Sequence, residues 1–284
     1  REGGVVAFPT ETVYGLGADA FDEAAVRRVF EVKGRPFHDP LIVHVADAEQ
    51  LTRVVEWVPD KAAALIRAFW PGPLTLVLPK KATVPDVVTA DKPTVAVRLS
   101  ANPWASELIR RAETPVAAPS ANLFGRTSPT TAQHVAAQLG DGCDLIIDAG
   151  ACRVGVESTV LSLVDNDPVL LRAGGLAREA IEAVIGRVRD PETSSASASQ
   201  SPGMLPHHYA PVTPLEVVVD LSRYADDPEV GVMLFHPPPV TFRGPVEVLT
   251  STGDLQEAAI HLFAAIRRLD AMGLRRIVVE KAED

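Results

Sequence analysis

Between residues 190 and 211 the chain cannot build a core. Ser194-Ser195-Ala196-Ser197-Ala198-Ser199 is low in complexity, and Pro202, Pro206 and Pro211 follow closely. Small side chains of this kind bury too little apolar surface to offset the entropy of ordering the chain. Proline fixes φ and removes a backbone donor, so the stretch reads as a linker. Apolar periodicity returns on both sides of it. The sequence therefore divides into a larger unit at 1–189, a linker at 190–211 and a smaller unit at 212–284.

In the larger unit, short β-branched runs at 5–8, 41–45, 74–78, 95–99, 116–118, 145–147, 159–164 and 169–171 read as strands. Apolar residues at three- and four-residue spacing predict helices at 23–33, 61–69, 104–111, 132–139 and 178–185. This is an α/β unit. The turn Asp165-Asn166-Asp167-Pro168 joins two strands directly, so a mixed twisted sheet is expected rather than a fully parallel one. The smaller unit reads as a Rossmann-like α/β domain, with strands at 215–219, 231–235, 246–249 and 277–279 and a helix at 255–272. Its last strand lies close to Asp284, which suggests truncation at that end.

A net charge of −10 argues against broad nucleic-acid binding, because phosphate contacts supply most of that affinity, and direct tRNA binding is not expected. No run approaches the roughly 18 apolar residues of a membrane helix. The two cysteines, Cys143 and Cys152, are too few for a disulfide framework and lack zinc spacing, so a reducing cytoplasm fits. The chain opens on Arg1-Glu2-Gly3-Gly4, without an initiator Met or a signal-peptide layout, so some N-terminal trimming is expected.

Four segments could carry chemistry. In residues 8–17 a strand runs into the hydroxyls of Thr10, Thr12 and Tyr14; the bland alternative is a hydrogen-bonded turn whose Gly15 and Gly17 serve backbone geometry. Lys33-Gly34-Arg35-Pro36 puts two cations at a helix end, where they could hold a polyphosphate or merely satisfy terminal carbonyls. His38 and His44 bracket the next strand, and alone decide nothing. In residues 118–131 a strand exit delivers Ser120 and Asn122, with Arg126, Ser128 and Thr130 before a helix that Thr130 or Thr131 could cap. Residues 155–160 and Arg172-Ala173-Gly174-Gly175 repeat the combination of hydroxyls, a cation and glycines. There is no GxxxxGK[ST] loop, GxSxG elbow or HExxH helix, so any ATP site must use scattered hydroxyls and cations.

In order along the chain, GGVVAFPTETVYGLG, KGRPFHDPLIVHV, WPGPLTLVL, VAVRLS, PSAN, SPTTAQHV, GVESTV and LLRAGG resemble the YrdC-like threonylcarbamoyl-AMP synthases. The SPGMLPHHYAP linker and the unit after it resemble the two-domain branch of that family. Leu123-Phe124 departs from the smaller, more polar pair that often follows PSAN. The resemblance implies synthesis of L-threonylcarbamoyladenylate from L-threonine, bicarbonate and ATP, releasing pyrophosphate, for threonylcarbamoyladenosine modification of tRNA. Downstream tRNA threonylcarbamoyl-transfer proteins are the implied partners.

By resemblance, Lys33, Arg35, Ser120, Asn122, Ser128, Arg172 and Tyr209 surround ATP, and Thr10, Tyr14, His44, Arg98 and Ser158 surround threonine. Mg²⁺ would be held mainly through the ATP phosphates, with no protein side chain as a metal ligand. No catalytic base is secure; His44 is the candidate, with substrate orientation the preferred role. Residues 201–211, with His207, His208 and Tyr209, are expected to act as a lid, the alternative being that these rings dock the two domains. Two other functions stay open: a YrdC-like module binding nucleotide or double-stranded RNA without turnover, and a carbamoyltransferase of the same fold.

Overall fold

The computed structural model describes residues 2–165, 167–191, 209–238 and 241–281. In the larger unit β1 (Val6–Phe8), β2 (Gly15–Asp19), β3 (Ile42–His44), β4 (Leu74–Pro79), β5 (Thr94–Arg98), β6 (Val116–Ala117), β7 (Leu145–Ile146), β8 (Thr159–Ser162) and β9 (Val169–Arg172) form one sheet. Its order is β7-β1-β2-β6-β3-β5-β4-β8-β9. The β1/β7, β3/β5 and β4/β8 pairs are parallel and the remaining pairs antiparallel. The sheet is therefore mixed, as the turn at 165–168 implied.

Helix α1 (Glu23–Lys33) shows why these segments fold where they do. The Asp22 carboxylate accepts hydrogen bonds from the Ala24 and Ala25 amides, capping the first turn, and Gly34 ends the helix in the left-handed region at φ 62°. The buried stripe Ala25, Val26, Val29 and Phe30 faces the core, and Lys33 at the end of that stripe is carried inside with it. The helices α2 (Ala48–Val54), α3 (Asp60–Phe69), α4 (Asp86–Thr89), α5 (Pro103–Ala112), α6 (Ala132–Leu139) and α7 (Arg178–Ile185) complete this unit.

Three elements were not foreseen. The short α2 and α4 have too few turns for a clear period. The β2 strand occupies the segment for which a turn around Gly15 and Gly17 is the alternative. Neither has a positive φ. At Gly17 the need is space, since a Cβ would come within 2.5 Å of Val116 Cγ1 and 2.7 Å of Phe8 Cε1.

The smaller unit holds β10 (Leu215–Val218), β11 (Val230–Leu234), β12 (Val246–Val248), α8 (Leu255–Asp270) and β13 (Arg276–Glu280). Its sheet, β10-β13-β11-β12, is parallel throughout. Helix α8 also faces the larger unit. Gly155, at φ 77°, lets it approach so closely that a Cβ there would lie 2.4 Å from Ile260 Cα. Val13, Val156 and Tyr209 join Phe263, Ile266 and Leu269 in one apolar cluster. Arg267 donates from Nε to the Ser128 carbonyl at 3.2 Å and from Nη2 to the Thr127 carbonyl.

Candidate functional site

The strand ends of the larger unit converge on one cavity, with about 470 Å³ of atom-free space including its mouth. Register decides much of this. The parallel pairing of β3 and β5 places His44 opposite Arg98 at their C-terminal ends. Ser120 follows β6 and bridges Gly15, Ser158 precedes β8, and Arg172 ends β9.

One half of the cavity is cationic. Arg35 lines it, 5% exposed, with Nη2 2.8 Å from the Asp39 carboxylate, Nε donating to the Asp39 carbonyl at 3.1 Å and Nη2 to the Pro40 carbonyl at 3.0 Å. Arg172 donates twice to the Ser158 carbonyl, at 3.2 and 2.9 Å, and from Nη1 to the Tyr209 hydroxyl at 3.3 Å. Tyr209 also packs on Phe263 with ring centroids 5.6 Å apart. Burial, reinforced by the Glu157 carboxylate, raises its phenol. Ser120 and Glu157 complete this wall, and Glu157 accepts a hydrogen bond from Ser128 Oγ.

Lys33, Asn122 and Ser128 stand behind that wall. Lys33 Nζ donates to the Ser120 carbonyl and, at 2.5 Å, to the Asn122 carbonyl. Burial, then the neighbouring Arg35 charge, pushes its ammonium well below the ordinary lysine value. A neutral amine still has enough N–H groups for both carbonyls, so the contact holds in either state. The Asn122 amide nitrogen donates to the Leu123 and Arg126 carbonyls, each at 2.8 Å. These residues build the loop that presents Ser120.

The other half centres on Arg98, 3% exposed. Nη2 lies 2.7 Å from Glu11 Oε1, Nη1 donates to Thr12 Oγ1 at 2.9 Å, and Nε donates to the Gly72 carbonyl at 3.3 Å. Two of the guanidinium's five N–H groups remain for a ligand. Ser100 Oγ donates to the second Glu11 oxygen. Ser158 Oγ lies 2.8 Å from Thr75 Oγ1 and accepts from Arg172 at 3.2 Å. His44 packs edge-on against Phe8 with ring centroids 5.7 Å apart, and its buried Nδ1 has no hydrogen-bond partner among the described residues. Burial, then the Arg98 charge, lowers His44 to about 3. The imidazole is neutral at physiological pH and too weak a base there to hold a proton, so orientation suits it better than general-base chemistry.

Lys33, Asn122 and Ser128, expected around ATP, thus support the wall rather than line it, and two expectations change on the threonine side. Tyr14 does not reach the cavity: its side chain is fully buried under α6, where its hydroxyl donates to the Gly150 carbonyl at 2.8 Å and accepts from the Ala149 amide at 3.3 Å. Thr10 lines the cavity, but its hydroxyl proton goes to the Val13 carbonyl at 2.6 Å while its oxygen accepts from the Thr12 and Val13 amides. It secures a turn. Glu11 and Glu157 were missed. The available signal was a carboxylate beside hydroxyl residues at a strand end, in Thr10-Glu11-Thr12 and Glu157-Ser158-Thr159. His207 and His208 lie outside the described residues.

Residues 1–174 match the Sua5/YciO/YrdC family model, described as telomere recombination. The chain belongs to the Sua5/YciO/YrdC family. Residues 176–284 match the model of the threonylcarbamoyl-AMP synthase C-terminal domain, which places this Sua5/YciO/YrdC member in the two-domain branch. It is 44% identical over 303 residues to the threonylcarbamoyl-AMP synthase of Pyrococcus abyssi, covering all of this chain and 87% of that one. The threonylcarbamoyl-AMP synthase of Bacillus subtilis is 52% identical over 223 residues, covering 76% of this chain and 64% of that one. The crystal structure of P. abyssi Sua5 complexed with L-threonine matches with a TM-score of 0.91 at 45% identity, covering 99% of this chain and 86% of that one.

Proposed function

We propose that this protein is an L-threonylcarbamoyladenylate synthase, and the observation that carries the reading is the division of one cavity into a cationic half and a hydroxyl-lined half. In the first, Arg35 and Arg172 neutralise the triphosphate of ATP, Ser120 contacts it, and Lys33, Asn122 and Ser128 hold that wall in place. Tyr209 closes on Arg172 from the domain junction. The rest of the expected lid, 201–208, lies outside the described residues.

In the second half, Arg98 receives the threonine carboxylate through its remaining N–H groups, with Thr10, Ser158 and His44 around the amino acid. The threonine amine combines with bicarbonate, losing water, to give a carbamate. Its oxygen attacks the α-phosphorus of ATP and pyrophosphate leaves. Such a reaction depends on holding two substrates in line and neutralising charge rather than on a protein nucleophile.

Among the described residues, Glu157 is the one carboxylate on the cavity wall, and no group of three or more His, Cys, Asp or Glu is placed to hold a metal. Magnesium therefore fits as a companion of ATP, held by phosphate oxygens and water, where it would neutralise phosphate charge. The product would pass to tRNA threonylcarbamoyl-transfer proteins. No helix among the described residues is long and apolar enough to cross a membrane. With both cysteines free, work in the cytoplasm suits the reading.

Incubation with ATP, Mg²⁺, bicarbonate and labelled threonine should yield pyrophosphate and labelled threonylcarbamoyl adenylate in equal amounts. Bound threonine without pyrophosphate would turn the reading into a binding module, and turnover of carbamoyl phosphate instead of bicarbonate would turn it into a carbamoyltransferase.

A further inference from the structure

The Glu11–Arg98 ion pair has a use beyond holding the fold together. Both partners are almost fully buried, at 4% and 3% exposure, and 2.7 Å apart. Glu11 sits between two cavity-lining threonines without itself lining the cavity. Its carbonyl accepts from the Val154 amide at 2.8 Å, and Ser100 Oγ, which itself accepts from the Asn102 amide at 3.1 Å, donates to the carboxylate. Burial works to raise the Glu11 carboxyl, but the Arg98 charge and the Ser100 hydrogen bond outweigh it and leave Glu11 below its ordinary value. It is therefore ionised at neutral pH, as its partner is.

Among the described residues, His44 and Cys152 sense this pair, and neither carries a charge there. His44 is lowered to about 3 by burial and then by Arg98. Cys152 is raised to about 12 by burial and then by Glu11. Glu11 thus offsets the charge of the guanidinium it faces, in an enclosed site where charges are weakly screened. A ligand that brings only a carboxylate gains from Arg98 and loses to Glu11. A zwitterion brings its own cation to offset Glu11.

We propose that Glu11 is a positioning and specificity-determining residue of the amino-acid subsite: it orients Arg98 and cancels its charge, so that the subsite selects the zwitterion of an α-amino acid over a carboxylate lacking the ammonium group. This rests on the reading of that half of the cavity as the threonine subsite.

Calorimetric titration of L-threonine and of its des-amino analogue, (R)-β-hydroxybutyrate, into the full chain tests it. The wild-type protein should bind threonine more tightly by about tenfold or more, and Glu11→Gln should shrink that ratio by about tenfold, because the substitution exposes the ammonium to an uncompensated guanidinium. Ser100→Ala keeps both charges and should weaken both ligands while preserving the ratio. A purely structural role would make Glu11→Gln weaken both ligands equally, and that result overturns the proposal. If Glu11→Gln does not fold, the wild-type titration still decides: equal affinity for the two ligands overturns the proposal. A wild-type protein that binds no threonine sinks the functional reading as well, whereas threonine binding with an unchanged ratio in the variant sinks only this inference.

Discussion

The two halves of the cavity differ in how many guanidiniums line them, two in one and one in the other. Arg35 and Arg172 put two guanidiniums on one wall, with the Asp39 carboxylate paired to Arg35 and Glu157 beside them. Around Arg98 the guanidinium is turned onto Glu11, Thr12 and Gly72, and hydroxyls make up much of the wall. Two guanidiniums on one wall suit a polyphosphate, whose charge is spread over several oxygens. An internally neutral, hydroxyl-lined half attracts little by charge and must discriminate by matching hydrogen bonds. One enclosure can thus combine affinity for a highly charged nucleotide with selectivity for one small amino acid.

Substrate choice should show the largest effect. A site built to pair a hydroxyl leaves polar groups unsatisfied when the hydroxyl is absent, so kcat/KM for valine should fall below that for threonine by roughly 10⁴. Serine keeps the hydroxyl and loses a methyl, a deficit of roughly 10- to 200-fold. Competing threonine against both in the pyrophosphate assay checks this, and comparable rates for valine and threonine would break the contrast.

Next is Arg35→Ala, which strands the buried Asp39 carboxylate and should destabilise the fold by about 3–5 kcal/mol in denaturant unfolding. Calorimetry on the folded fraction should show ATP affinity falling far more than threonine affinity; equal losses would mean that the halves are not separate.

Arg98→Lys is the counterpart. One ammonium cannot serve Glu11, Thr12, the Gly72 carbonyl and a carboxylate together, so KM for threonine should rise by about 1.5–3 kcal/mol in equivalent free energy, with KM for ATP little changed. Tyr209→Phe keeps the ring on Phe263 and removes only the hydroxyl that meets Arg172. ATP affinity should weaken by about 0.5–1.5 kcal/mol, and limited proteolysis of the linker should show whether ATP and threonine still protect it.

The smallest expected effect is on the pH–rate profile. With His44 lowered to about 3, no limb from its ionisation should cross neutral pH. The same shift acts on stability. The unfolded chain takes up a proton near the ordinary histidine value of 6.5 and the folded chain does not until about 3, so unfolding free energy falls as pH drops through that window. His44→Gln should flatten the slope between those values, and a rate limb near 6.5 that vanishes in the variant would contradict the neutral imidazole.

Much of this molecule is legible in its sequence. Helices α1, α6 and α7 begin and end where their periodicity places them, and the strands of the smaller unit lie within a residue or two of the runs that predicted them, because each depends on neighbours in sequence. Chain chemistry also singled out Arg35, Ser120, Ser158 and Arg172, since hydroxyls and cations at strand ends next to glycines are a local pattern, and the ordered motifs gave that pattern a family and added Arg98. What the sequence could not specify is which way each side chain faces. Tyr14 shares its segment with the cavity-lining Thr10 and Thr12, yet contact with Gly150 from far along the chain turns it into the core. Glu11 reads as one acidic residue among many until β5 brings Arg98 within 2.7 Å of it. Composition and periodicity act over a few residues and so determine the elements. The charge of the cavity depends on pairings across the sheet, and only the tertiary fold decides those.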